Sequence, residues 1–504
     1  MIQKRTPVFR KDHAQTEERW SGGGHRARWI RARSTGAVPF RLALRDIALF
    51  ERPVRFARPF RFGAVVINAT PQAFVRVEIE IEGGGRAVGA SAELLVPKWF
   101  DKRLALSPDE TVVELRRSLT IARALYLGHS GFETAFGLHA ASIKAQLDVC
   151  AREDIPPLAA AYGPAEIDKA ILDALLRASG LNFFDGMAQN IAGIDARLSA
   201  DLAADDVASF LARCRRLERV AVRHTVGLDD QIEGPGGVAD QTKNSSTRYF
   251  KLKLGGNPES DAARLGRIGK ELATLPFDYR VTLDANEQYA DLKALSALID
   301  RLDRDGVLPP IAGRLLYVEQ PMPRDITRQS PLGALASRDF IIDEADDSYD
   351  AFPAARVLGY RGVSSKSCKG IYKSIINAAR CAKWSSKETN FFATGEDLTC
   401  QAGLAVQQDL ALGALIGLTH AERNGHHYVD GFAGTPLADA QAFRSGHPDL
   451  YTGEADDIRL AIHDGDLLTG SLISKGFATS VHPDWSALSP LKDAKPRNLQ
   501  EHTL

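Results

Sequence analysis

Short apolar runs that each stop on charge recur through the middle of this chain. Tyr249-Phe-Lys251-Leu-Lys253, Val281-Thr-Leu-Asp284-Ala-Asn286, Leu315-Leu-Tyr-Val-Glu319 and Phe340-Ile-Ile-Asp343-Glu344 are four of them, and Gly362-Val-Ser-Ser-Lys366-Ser-Cys-Lys369 is a fifth. Runs of this length and β-branched content predict buried strands, and a charge at the end of such a run is not explained by core packing. Further runs near 220–225, 390–395 and 414–419 bring the number to eight, spaced by helical stretches over about 200 residues. That spacing predicts a (β/α)8 barrel, an α/β fold whose chemistry sits at the C-terminal ends of its strands.

The text before the barrel differs. Phe74 to Ile81 alternates at period two, breaks at Gly83-Gly84-Gly85 and resumes through Val88 to Val96, which predicts an antiparallel hairpin. Residues 107–215 read as helices: Ser107-Pro-Asp-Glu is a capping start, and 165–176 carries apolar residues at helical spacing. The expected organisation is a basic, disordered extension over 1–40, an α+β capping domain over 41–215, the barrel over 216–440, and a C-terminal segment with a flexible tail over 441–504. The extension holds nine Lys or Arg, and a solvated tail or a misassigned start codon explains it better than a nucleic-acid arm.

Composition narrows the class of partner. With 44% hydrophobic and 25% charged residues and a net charge of −1, the chain has no basic stripe for nucleic acid and none of the acidic or basic blocks of a charged-surface binder. No apolar run reaches the roughly 20 residues of a membrane span and no secretory signal is present, so a cytoplasmic location is expected. Five scattered cysteines without paired spacing fit a reducing compartment. A small-molecule partner is expected.

Asp284, Glu319 and Asp343 are 35 and 24 positions apart, about one βα unit each, so consecutive strands bring them to one rim. A single carboxylate there commonly caps a helix. Three in register repel one another unless a divalent cation joins them, and hard oxygen donors suit Mg²⁺. Lys251 and Lys253 share one face of the second strand, and Lys366 ends the sixth, across the barrel. The segment Arg55–Gly63, with Arg58 and Arg61, reads as a loop that could cover an anionic ligand or lie exposed.

Taken together, Lys251-Leu-Lys253-Leu-Gly-Gly, Asp284-Ala-Asn286, Val318-Glu319-Gln-Pro, Asp343-Glu344 and Lys366-Ser-Cys-Lys369-Gly370 resemble the enolase superfamily, in its muconate-lactonizing-enzyme-like (mandelate racemase/muconate lactonizing enzyme) subgroup, over about residues 41–480. The resemblance implies a modified TIM-type barrel with an N-terminal cap and a C-terminal return to it, through 461–468 and Lys475-Gly476-Phe. It implies Mg²⁺ on Asp284, Glu319 and Asp343, with Lys253 and Lys366 as opposed acid/base groups. Lys251 would depress the Lys253 pKa, Asn286 would orient a ligand, and Glu344 would support the site from behind. The implied reaction removes the proton α to a carboxylate and passes through an enediolate. Racemisation or epimerisation by two lysines is expected. Dehydration or cycloisomerisation from the same intermediate is the alternative enzyme reading, and a catalytically idle carboxylate-binding barrel the alternative from another class. Relatives commonly self-associate, so the resemblance admits a homo-oligomer, while the sequence itself leaves the oligomeric state open.

The chain departs from the family at Thr399, where many relatives carry a carboxylate. It also lacks the His on strand seven and Asp on strand six of the mandelate-racemase-like pattern. His420 follows the expected eighth strand and is a candidate substrate contact, and the pair His426-His427 reads best as a solvated loop.

Overall fold

The computed structural model describes residues 39–495 apart from Ala64, Asp305 and Val307. The basic extension up to Val38 and the tail from Pro496 onward lie outside the described residues.

The first three strands of the four-stranded capping sheet are β1 (Leu42–Phe62), β2 (Val65–Ile81) and β3 (Arg86–Leu94), all antiparallel. Alternation buries Val75, Val77 and Ile79 of β2, and the expected hairpin at Gly83–Gly85 joins β2 to β3. The segment read as a loop over Arg55–Gly63 is instead the end of β1. Pairing runs to Arg55↔Ala69, bulges, and resumes at Phe60↔Ile67, so Ala57 to Pro59 are pushed out of an otherwise continuous arm.

Helices then pack on this sheet. Ser107 and Glu110 make the expected capping box at the start of Pro108–Leu127. The helix Pro157–Ser179 lies directly on β3, close enough that a Cβ on Gly89 would fall 2.1 Å from Ala170 O and 2.3 Å from Ala174 N. Only glycine fits there, because what it meets is helix backbone.

Eight parallel strands follow: β4 (Arg219–Val226), β5 (Tyr249–Lys253), β6 (Arg280–Asp284), β7 (Leu315–Glu319), β8 (Phe340–Ile342), β9 (Gly362–Ser365), β10 (Phe392–Gly395) and β11 (His420–Glu422). Each pairs with the next and β11 pairs with β4, closing a (β/α)8 barrel capped by an α+β sheet. Seven strands lie where the sequence places them. The eighth does not: 414–419 is the end of the helix Leu404–Leu415 and a turn through Gly417 (φ +84°), and the strand begins at His420. Periodicity alone cannot separate a short apolar run in a strand from the last turn of a buried helix.

After the barrel come a small antiparallel pair, β12 (Tyr451–Thr452) with β13 (Arg459–Leu460), then β14 (Asp466–Leu468) against the start of β4, and β15 (Ser489–Pro490) against β1. The chain so returns to the cap, with Phe477 stacked on Phe183 at 4.2 Å. No described helix is long and apolar enough to cross a membrane.

Replacing Gly89 by Ala is expected to force β3 off its helix and to lower unfolding stability by about 3 kcal/mol. Denaturant titration checks this; an unchanged midpoint would show that the helix yields without cost.

Candidate active site

Alternation along the barrel strands decides which side chains meet at its axis. On β5 it turns Lys251 and Lys253 inward, and register sets Lys253 opposite Asp284 and Asp284 opposite Glu319. Asp343 follows β8, Lys366 follows β9, Glu396 follows β10, and Glu422 ends β11. All eight are buried. A barrel interior is ordinarily filled by branched apolar residues; this one is filled by charge.

Lys251 stands at the centre. Its ammonium lies 2.9 Å from Asp284 Oδ2, 2.9 Å from Glu319 Oε2, 2.5 Å from Glu396 Oε2 and 3.0 Å from Glu422 Oε2. Burial works to lower its pKa, but the four carboxylates outweigh burial and hold it well above the ordinary lysine value. Its charge is thus taken up by carboxylates, which differs from the sequence expectation that it acts on Lys253 by repulsion. Burial, reinforced by Asp284 and Glu396, pushes the Glu319 carboxyl well up in spite of Lys251. Beneath them Arg223 of β4 also pairs with Glu396.

The two candidate acid/base groups stand on carboxylates as well. Lys253 donates to Asp284 Oδ2 at 2.6 Å and to Asn286 Oδ1 at 2.8 Å. Lys366 donates to Asp343 Oδ2 at 2.5 Å, and its ammonium lies 4.1 Å above the ring of Trp99 from the capping domain. Burial lowers the Lys366 pKa, but Asp343 more than reverses this, so it stays raised. Gln320 fixes the third carboxylate by accepting from the backbone N–H of Asp343 (2.9 Å) and Ala345 (3.0 Å). Glu344 faces Asn286 (3.1 Å) and Lys102 of the cap (2.7 Å), and Lys102 also reaches Asn286 O and Glu287.

Lys251, Lys253 and Lys366 line one cavity with Asn286, Glu422, Asp397 and Thr399, roofed by Phe60, Phe62, Val96, Trp99 and Leu398. Its volume is about 20 Å³, room for one water by the usual measure of roughly 10–15 Å³ each. Thr399 holds a left-handed backbone (φ +60°), a strained state for a β-branched residue. Burial lifts the Asp397 carboxyl to about 6.

Other expected contacts are elsewhere. Arg58 donates to Gln241 and Arg61 pairs with Asp229, both near the surface, while Phe60 and Phe62 of the same arm face the cavity. The bulge carries Arg58 outward, and alternation between Phe60 and Phe62 does the same for Arg61. His420 begins β11, at the far end from the cavity; it stacks on Tyr249 at 4.4 Å and contacts Arg223 at 2.6 Å. Sequence reasoning missed Glu396, Glu422, Lys102 and Trp99. The signal for the first two was present, since each also ends or directly follows a short strand.

The oxygen donors of Asp284, Glu319 and Asp343 form a set of the hard type that Mg²⁺ takes. Glu319 Oε2 fits that use: it is buried and accepts no hydrogen bond, although Lys251 is near. Loading the set requires Lys253 and Lys366 to leave Asp284 and Asp343. A second cluster suited to a divalent metal is formed by His224, His426 and His427, whose ligating nitrogens come within 4.8 Å of one another. The pair His426-His427 is not solvated: burial lowers the pKa of His426 to about 4 and holds that of His427 well below the ordinary histidine value.

Lys251→Met would leave four buried carboxylates without their shared cation. The loss is expected to be about 3–5 kcal/mol at pH 8. Without Lys251 the carboxylates' folded-state pKa values rise above the unfolded ones, so the penalty shrinks as pH falls toward the unfolded value and grows as pH rises. Denaturation at several pH values measures it; a pH-independent loss would contradict this reading of the cluster.

No protein-family model and no curated protein sequence matches the chain. Solved structures do. A muconate lactonizing enzyme of Mycobacterium smegmatis complexed with muconolactone matches at 16% identity and TM-score 0.55, over 88% of this chain and 98% of that one. An enolase of Bradyrhizobium complexed with magnesium and mandelic acid matches at 15% and 0.54, over 88% and 97%. A dipeptide epimerase of Enterococcus faecalis V583 complexed with Mg and the dipeptide L-Leu-L-Tyr matches at 15% and 0.52, over 84% and 99%. Cap and barrel together, this chain shares the fold of these solved structures over most of its length.

Proposed function

We propose that this protein is a Mg²⁺-dependent enzyme that removes the α-proton of a small carboxylate substrate, and that it racemises or epimerises that substrate with two lysines. The observation that carries the reading is that Lys253 and Lys366, from the second and sixth strands of eight, line one small cavity, while Asp284, Glu319 and Asp343 end or follow the three strands between theirs in barrel order. Strands four apart in a barrel of eight face each other, so the two amines address opposite sides of a carbon held between them.

Asp284, Glu319 and Asp343 would hold the Mg²⁺ ion, which when bound supplies electrophilic stabilisation of the substrate carboxylate as charge builds on its oxygens. Lys253, as the free amine, takes the α-proton from one side. Lys366, as the ammonium, returns a proton from the other, and the roles exchange for the opposite configuration. Asn286 keeps Lys253 in place through its Oδ1, and the roof of Phe60, Phe62, Val96, Trp99 and Leu398 excludes water, which strengthens each of these charge interactions. With so little room under the roof, the arm of Phe60 and Phe62 must shift to admit a substrate. Names among the structural neighbours include a dipeptide epimerase and a mandelic acid complex, which supports amino-acid derivatives, dipeptides and hydroxy acids as first candidates.

One observation supports a second reading, dehydration or cycloisomerisation. Lys366 over Trp99 is held as a cation, which suits an acid or an electrostatic role better than a base.

In D₂O the Mg²⁺-loaded protein should incorporate α-deuterium into its substrate from a panel of N-acyl amino acids, dipeptides and hydroxy acids. Lys253→Ala and Lys366→Ala should each slow exchange by about 10²–10⁴-fold, from opposite configurations. No exchange across the panel would sink the proposal. Loss of a β-substituent with activity retained in Lys366→Ala would favour the second reading.

A further inference from the structure

His224, His426 and His427 take no part in the chemistry above. His224 lies on β4 between Arg223 and Thr225, whose side chains reach into the barrel, so alternation turns His224 to the outer wall. It is 5% exposed. His426 and His427 belong to the helical turn Gly425–Tyr428, which follows β11. Because β11 pairs with β4, closing the barrel brings the three rings together: His427 lies 4.4 Å from His224 and 4.7 Å from His426 between centroids. Nδ1 of His426 and both ring nitrogens of His427 are buried without a hydrogen-bond partner. Buried polar atoms are rarely left so, and a ring nitrogen in this state is an available metal ligand.

We propose that His224, His426 and His427 form a binding site for a transition-metal ion of the Zn²⁺ type, on the outer wall of the barrel and separate from the carboxylate site. Zn²⁺ takes imidazole nitrogens at roughly 2.0–2.1 Å in tetrahedral array, which sets those nitrogens about 3.3 Å apart. The present spread of up to 4.8 Å closes by ring rotation, since His224 and His427 now lie nearly stacked at 26°. Mg²⁺ prefers oxygen and would not select this site. The charged groups nearest to the rings are Arg58, Arg423 and Glu422. Each has a partner of its own: Gln241, Asp409 and Lys251 respectively.

The position gives the ion a structural role. Tyr428 follows His427 directly, and its ring packs on Phe60 at 4.4 Å. An ion binding the first strand to this turn therefore steadies the residue on which the cavity roof rests.

Full-length protein stripped by chelation and titrated with Zn²⁺ against a chromophoric competitor should bind one equivalent tightly. His427→Ala and His426→Gln should each weaken that equivalent by about 100-fold or more, whereas Asp284→Asn should leave it unchanged. Co²⁺ in the unsubstituted protein should show the intense visible bands of a tetrahedral site, lost in either His variant that remains folded by circular dichroism. Equal Zn²⁺ affinity in the folded variants, or Co²⁺ bands absent from the unsubstituted protein, would overturn the proposal.

Discussion

A buried ammonium persists inside a barrel only where carboxylates surround it, and at Lys251 four of them do. That single requirement explains why β6, β7 and β11 end in acids and why one follows β10, though these strands lie far apart in sequence. Carboxylates hold the other cations of the mouth as well: Arg223 pairs with Glu396, Lys253 with Asp284, and Lys366 and Lys369 with Asp343.

The cap completes what the barrel begins. Trp99 lies under Lys366, Lys102 ties Glu344 and Glu287, and the β1 arm lends Phe60 and Phe62. Neither half alone encloses the cavity. The barrel supplies charge at fixed positions, and the cap supplies the apolar cover that keeps those charges out of water, where they would be screened to little effect.

Much of this was legible in the sequence because strand ends are legible. An apolar run that stops on Asp, Glu or Lys marks both the strand and the side chain at its mouth, and Lys253, Asp284, Glu319, Asp343 and Lys366 were all found that way. The same rule applies to Glu396 and Glu422, but one stands one residue beyond its strand, after Gly395, and the other ends a strand that the sequence reading misplaced. Ala414 to Thr419 is as apolar as a strand and proved to be a helix end, which put His420 past the strand and not at its start. Contacts such as Lys102 with Glu344, or the meeting of His224 with His427, depend on how distant elements pack and leave no local trace. The arginines of the β1 arm lie elsewhere for a different reason: Arg58 sits in the bulge, and alternation gives the inward places on either side of Arg61 to phenylalanine.

The pairing of β15 with β1 has a consequence for the order in which the molecule can be assembled. Phe50 pairs with Pro490 and Glu51 with Ser489, partners separated by most of the chain. During synthesis β1 precedes β15 by the whole barrel, and its outer edge has no β15 beside it until the barrel has been made. An exposed edge is a template for unwanted pairing, and contacts so remote in sequence form slowly. The nascent chain thus carries an open edge through the whole translation of the barrel, and the few residues that cover it are among the last described ones to appear.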